Sequence, residues 1–199
     1  MDENIFKRNE LLAEKVASGL ESRGMKAYYA ASGEEALALA LNLIPEESTV
    51  GIGGCMSARE IGLYEVLANG AYDFTDHGPT QDIDWFISSA NAITEDGVIV
   101  NIDGNGNRVS AIAYGPRKVL FIIGMNKVCD DIDGAMKRAR NVAAPINAQR
   151  FDLATPCKKK GSCFDCKSPD TICCQFLITR FNRIADRIHV ILVNEDLGF

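Results

Sequence analysis

The segment KVLFIIG, residues 118–124, carries no polar side chain between Lys118 and Gly124. A strand with one face in water alternates apolar and polar residues. An unbroken apolar run belongs instead to a strand covered on both faces, as in a parallel sheet held between two layers of helices. RIHVILV, residues 187–193, reads as a second strand. Between these and the N-terminus, helical and extended patterns take turns. Leu12, Val16 and Leu20 recur at four-residue spacing within 4–23, and Gly24 follows as a stop. MKAYYAA (25–31) reads as a strand, EEALALALNLI as a helix ended before Pro45, and STVGI (48–52) as a strand. Ser57 and Glu60 have capping-box spacing, predicting a helix that runs to Asn69-Gly70.

Farther on, AYDF (71–74) is strand-like, and ANAITEDGVIVNI gives two short strands about Asp96-Gly97. RVSAIAYG continues the β pattern. Asp130, Asp131 and Asp133 suit a helix N-terminus, and that helix is expected to end before Pro145. A last helix is expected from Ser168-Pro169, with Cys173 and Cys174 in its first turns and Leu177, Ile178, Phe181 and Ile184 on its inner side. The alternation predicts an α/β chain: a three-layer, Rossmann-like fold with a mainly parallel sheet, formed as one domain over 1–199.

With 47% apolar residues, 24% charged residues and a net charge of −6, the composition is that of a globular protein. No basic stripe interleaves with aromatics, so no nucleic-acid partner is expected. The N-terminus lacks the basic and apolar regions of a signal peptide, and Val119–Met125 is too short to span a bilayer. The expectation is a cytoplasmic protein with no membrane partner. There, cysteines are kept reduced, bound to metal or used in catalysis.

GIGGCMSAREIGL, residues 51–63, runs from a strand through glycines into a helix. Such a turn can hold a small anionic metabolite against Gly53, Gly54, Cys55 and Ser57, or can be a plain tight turn. Cys55 is also a candidate nucleophile at the helix start. Met56 takes the third glycine place of a dinucleotide fingerprint and no Gly-Lys-Ser/Thr follows, so NAD is not expected. A second polar group gathers in residues 91–109. Glu95 and Asp103 are its candidate acid–base carboxylates, and Asn105 and Arg108 its candidate ligand contacts; a polar hairpin turn accounts for it equally well. His77, in TDHGPTQDIDW, reads as a solvated loop residue, and His189 as a structural one.

Five of the seven cysteines fall in TPCKKKGSCFDCKSPDTICC, residues 155–174. The spacing Cys157-x5-Cys163-x2-Cys166-x6-Cys173, with Cys174 adjacent, can supply four thiolates to zinc or to an iron–sulfur cluster. A redox dithiol and simple packing are the other readings.

Taken together, TVGIGGCMSAREIGL, SANAITEDGVIVNIDGNGNRVSAIAYGPRKVLFIIGMNK and HVILVNEDLGF resemble the LUD domain family, named for lactate utilisation, over residues 4–199. The resemblance implies a fold like that of the NagB/RpiA/CoA-transferase group, whose members bind sugar phosphates or acyl-CoA near the glycine-rich turn. It places the chain in a stand-alone, cysteine-bearing branch; the other branch works beside an iron–sulfur oxidoreductase in converting lactate to pyruvate. Cys55 and Ser57 stand where the family commonly has serine and threonine. Glu95, in TEDG, is similar to the nucleophilic glutamate of CoA transferases. The branch's CxDC and SPxRIC pattern falls on Cys163, Asp165, Cys166, Ser168, Pro169, Ile172 and Cys173, with Thr171 in place of arginine. It implies Cys173 as fourth ligand and Cys174 as its substitute. The iron–sulfur partner favours a [4Fe–4S] cluster, with zinc as the alternative. The implied function is binding of lactate or another small organic acid beside such a centre. A non-catalytic metabolite or redox sensor is the alternative.

Overall fold

The structure, a computed structural model, describes residues 2–78 and 80–199. It opens with helix α1 (Glu3–Ser22), capped by the Asp2 carboxylate, which accepts from the Asn4 and Ile5 amides. Strand β1 (Lys26–Ala30), helix α2 (Gly33–Leu43), strand β2 (Thr49–Ile52), helices α3 (Met56–Glu60) and α4 (Leu63–Asn69) and strand β3 (Asp73–Asp76) follow. Next come β4 (Trp85–Ser88), β5 (Ala92–Thr94), β6 (Ile99–Asp103), α5 (Asn107–Ala113) and β7 (Lys118–Gly124). A 3-10 turn (Met125–Lys127) leads to β8 (Val128–Cys129), α6 (Ile132–Arg138), a π-helical turn (Ala139–Ala143) and α7 (Ala144–Ala148). The chain closes with α8 (Pro156–Lys160), β9 (Gln175–Thr179) and β10 (Ile188–Val193).

Six strands form one parallel sheet in the order β1-β10-β7-β4-β2-β3. The two apolar runs are adjacent in it, Val119 opposite Ile188 and Ile123 opposite Leu192. Leu120 and Ile122 pack with Leu63 and Leu67 of α4 on one face; Val119, Phe121 and Ile123 pack with Val16 and Leu20 of α1 on the other. Helices therefore cover both faces, which is the physical reason neither strand carries a polar stripe. A smaller mixed sheet, β8-β5-β6-β9, lies beside it. It gives Ile93 and Ile99 to the α1 side of the core, and Ala92 and Val100 to a third cluster under α6.

Four expectations for local structure fail. RVSAIAYG is helix α5, not a strand: Arg108, Ala111 and Ile112 share a helical face, and the Asp103 carboxylate accepts from the Arg108 and Val109 amides at its start. A short apolar alternation does not distinguish helix from strand by itself. The capping box does not form: Ser57 is buried inside α3, and Gly62 in the left-handed region separates α3 from α4. Pro145 does not end the helix before it, because the π-helical turn lies just upstream and Pro145 sits at the start of α7. No helix follows Ser168-Pro169. Cys173 and Cys174 lie in loop, and Leu177 and Ile178 belong to β9, which pairs antiparallel with the free edge of β6. Among the described residues no helix is long and apolar enough to cross a membrane.

Candidate functional site

The carboxyl ends of β2, β4 and β7, neighbours at the centre of the sheet, open onto a cavity of about 620 Å³. Open parallel sheets offer ligand sites at this end. Arg59, Arg108, Lys127 and Arg150 line it, with His77 beside them, against two side-chain carboxylates, Asp103 and Asp170. Both acids are occupied by backbone amides. Asp103 caps α5, and Asp170 accepts from the Ala154 amide at 2.9 Å. The wall therefore presents an excess of positive charge.

The cations differ in how they are held. Arg59 is tied to Asp76 at 3.2 Å and stacks on the Tyr64 ring. Arg108 has no carboxylate partner within ion-pair distance among the described residues. One guanidinium nitrogen donates to Asn91 Oδ1 (3.1 Å) and to the Ile102 carbonyl (2.7 Å), and the residue forms part of the cavity wall. Gly53 makes room behind it: a Cβ there would lie 3.1 Å from Phe86 Cζ and 3.4 Å from Arg108 Cγ. Lys127, in the turn after β7, is only 2% exposed. Its Nζ contacts the hydroxyls of Ser57 (3.2 Å) and Ser89 (2.9 Å), and no carboxylate lies within ion-pair distance among the described residues. Burial brings its pKa down to about 8, with Arg138 and Arg108 adding to the fall and Cys55 and Glu60 opposing it. His77 Nε2 accepts from the Gly54 amide at 3.2 Å, and Nδ1 lies 2.5 Å from Asp76 Oδ1.

A second, smaller cavity of about 70 Å³ is walled by Cys157, Cys163, Cys166 and Cys173, with Arg140 at its rim. An Arg140 amino group lies 3.7 Å from Cys163 Sγ and 2.5 Å from Asp165. Burial pushes the Cys173 thiol up to about 11, and the neighbouring cysteines add to the rise. Among the described residues no three His, Cys, Asp or Glu side chains converge as a single ion would require. The four cysteines line a space that Asp165 shares. Thr171 and Ile172 belong to the walls of both cavities, so the cysteine loop stands against the cation-lined one. The Cys174 amide, donating to the Asp103 carbonyl at 2.9 Å, fastens the loop there.

The LUD domain profile matches residues 13–193 of this chain. The chain belongs to the LUD domain family. It is thereby related to lactate-utilisation proteins. No curated protein matches it in sequence. Among solved structures it is similar to a DUF162 family protein from Deinococcus radiodurans, with a TM-score of 0.54 and 11% identity over 93% of this chain and 98% of that one. At that identity the likeness concerns the fold.

In this LUD domain the residues singled out from sequence are placed unevenly. Gly54, Asp103, Asn105 and Arg108 line the large cavity. Ser57 reaches it through Lys127. Cys55 turns into the core with Ile52 and Ala58, where burial raises its thiol pKa, the reverse of an activated nucleophile. Glu95 lies outside both cavities and pairs with Lys15 of α1. Cys174 is exposed and outside the thiol-walled cavity. The sequence reading passed over Lys127, Asn91 and Arg150. The signal for Lys127 was present: a lysine three residues beyond a strand buried on both faces is carried to the sheet's carboxyl end. His77, read as a solvated loop residue, lies on the cavity wall.

Proposed function

We propose that this LUD-family chain binds a small organic acid in the cation-lined cavity, next to an iron–sulfur cluster held by Cys157, Cys163, Cys166 and Cys173. The observation that carries the reading is the shared wall of Thr171 and Ile172. It sets a four-thiol pocket beside a cavity whose cations outnumber its acids and whose acids are already engaged. Guanidinium groups are suited to a carboxylate. Arg108 is the anchor, Lys127 adds charge, and Asn91 and Asn105 offer polar contacts for a hydroxyl or carbonyl.

The thiol pocket supports a centre larger than one ion. Zinc binds thiolates at ~2.3 Å and draws four sulfurs into mutual contact. Here the four cysteines line a space together with Asp165, and among the described residues no three such side chains converge on one point. Such a cluster would contribute electron transfer. The chain's own residues would hold the acid, keep its carboxylate on Arg108 and set its distance from the thiol loop.

The test has two arms. Protein purified without oxygen is assayed for iron, acid-labile sulfide and zinc; iron and sulfide in stoichiometric amounts are expected, and zinc alone or no metal would sink the cluster. Lactate is titrated by calorimetry into the wild type and Arg108→Gln. The variant is expected to bind ~10–100-fold more weakly, the worth of a charge-assisted hydrogen bond pair. Equal affinity would remove Arg108 as the anchor.

A further inference from the structure

Lys127 is placed for more than holding a charge. Its hydrogen-bond arithmetic is unusual for a buried lysine. Ser89 has one hydroxyl proton, and the 2.6 Å contact to the Ile122 carbonyl takes it. Ser89 Oγ therefore accepts from Lys127 at 2.9 Å, and across the 3.2 Å Ser57–Ser89 contact the Ser57 hydroxyl is the donor. Ser57 Oγ then accepts from Lys127 at 3.2 Å. Two acceptors face Nζ, both neutral.

An ammonium has three donors and no lone pair; a neutral amine has two donors and one lone pair. The two serines match the neutral amine, leaving its lone pair unclaimed by the protein. Burial is the largest cause of the depressed pKa, and at a value of about 8 roughly a tenth of the amine is neutral at pH 7. Burial without a counter-ion is one way a lysine is activated as a nucleophile. Gly198, at φ +59°, covers the amine closely: a Cβ there would lie 3.1 Å from Nζ and 3.0 Å from Ser57 Oγ. Both Gly198 and Lys127 are part of the cavity wall.

We propose that Lys127 forms an imine with a small 2-oxo acid whose carboxylate rests on Arg108. The Nζ lone pair attacks the ketone carbon, forming the C–N bond as the C=O π pair moves onto oxygen, and one Nζ proton passes to that oxygen to give a carbinolamine. The second Nζ proton passes to the same oxygen as the C–O bond breaks, so the oxygen leaves as water and the nitrogen pair forms C=N. No electrons change hands, and no cofactor is needed. The serines hold the amine in place during attack. This assignment rests on the carboxylate-binding reading of the cavity and narrows it to a substrate class with an adjacent carbonyl.

The experiment uses pyruvate as probe. Intact protein is incubated with pyruvate, reduced with borohydride and digested, and the adduct is located by mass spectrometry. The expected result is a reduced adduct on the Lys127 peptide, more abundant at pH 8.5 than at pH 6.5 by ~10-fold or more, as the neutral amine fraction predicts. Lys127→Arg, which keeps a cation but cannot form an imine, should give no adduct. Lys127→Met serves as a second variant if the larger guanidinium does not fit. Calorimetric titration of lactate and pyruvate into the same protein separates the two ideas. If both acids bind and no Lys127 adduct forms, or if adducts appear equally on exposed lysines, the imine is overturned while the cavity's reading stands. If neither acid binds and no adduct forms, both are overturned.

Discussion

The two cavities are built by opposite means. The large one is mounted on the sheet. Ser57, Ser89 and Lys127 follow three adjacent parallel strands, and their hydroxyl and amine groups are fixed by hydrogen bonds to one another and to the backbone of β7. The small one is walled largely by the segment 155–174, whose one regular element is the short helix α8. Its cysteines make long contacts: Cys157 approaches Thr155 Oγ1 at 3.4 Å, Cys166 approaches Thr171 Oγ1 at 3.9 Å, and Cys163 accepts from Arg140 at 3.7 Å. The first site is organised before any ligand arrives. The second collects four thiols in a loop, and a metal bound there would itself add folding free energy.

That contrast can be broken most sharply at the thiols. Cys166→Ser is expected to abolish iron and sulfide incorporation while leaving the far-ultraviolet circular dichroism of the α/β core unchanged; full metal content would mean that Cys166 is not a ligand. In the core, Phe121→Ala should cost about 3–5 kcal/mol in urea unfolding, because Phe121 is fully buried at the centre of β7. Phe164, 55% exposed in the cysteine loop, should cost within about 0.5 kcal/mol when changed to alanine. Equal costs would erase the distinction between rigid sheet and loop.

Lys127 gives a smaller effect with a definite sign. Its folded pKa of about 8 lies below the ordinary 10.5, so the unfolded chain holds the proton to higher pH. The lysine therefore destabilises the fold below pH 8, and stability rises with pH between those values. Lys127→Met should raise stability by about 1–3 kcal/mol at pH 7 and remove that rise. A lower urea midpoint for the variant at pH 7 would show that the serine contacts outweigh the cost of burying the amine. The smallest effect is expected at Cys174→Ser, with metal content unchanged and stability within about 0.5 kcal/mol, since its side chain is exposed and outside the thiol pocket. Loss of metal there would move the fourth ligand from Cys173 to Cys174.

Legibility followed the same division. Continuous apolar runs such as VLFII and VILV admit one burial pattern, and Leu12, Val16 and Leu20 admit one helical face, so the parallel core could be read directly. RVSAIAYG and the residues after Cys174 could not. Short apolar segments fit either period, and their state was decided by partners distant in sequence: Asp103 capping α5, and the open edge of β6 accepting β9. The cation-lined cavity was legible at Gly54, Asp103, Asn105 and Arg108, which sit in or beside turns rich in glycine and polar residues. It was not legible at Lys127 or Arg150, where no local pattern marks a side chain as facing a cavity.

By itself the sequence determined that strands buried on both faces must be covered by helices, and that thiols spaced as these are can serve one centre, because periodicity and spacing act locally. Only the tertiary structure decided which polar groups meet. Glu95 is drawn away to Lys15, and Lys127 is brought between Ser57 and Ser89. The thiol loop is pinned against Asp103. Those encounters join residues tens of positions apart, and their energies depend on distance and burial, which the packed chain alone supplies.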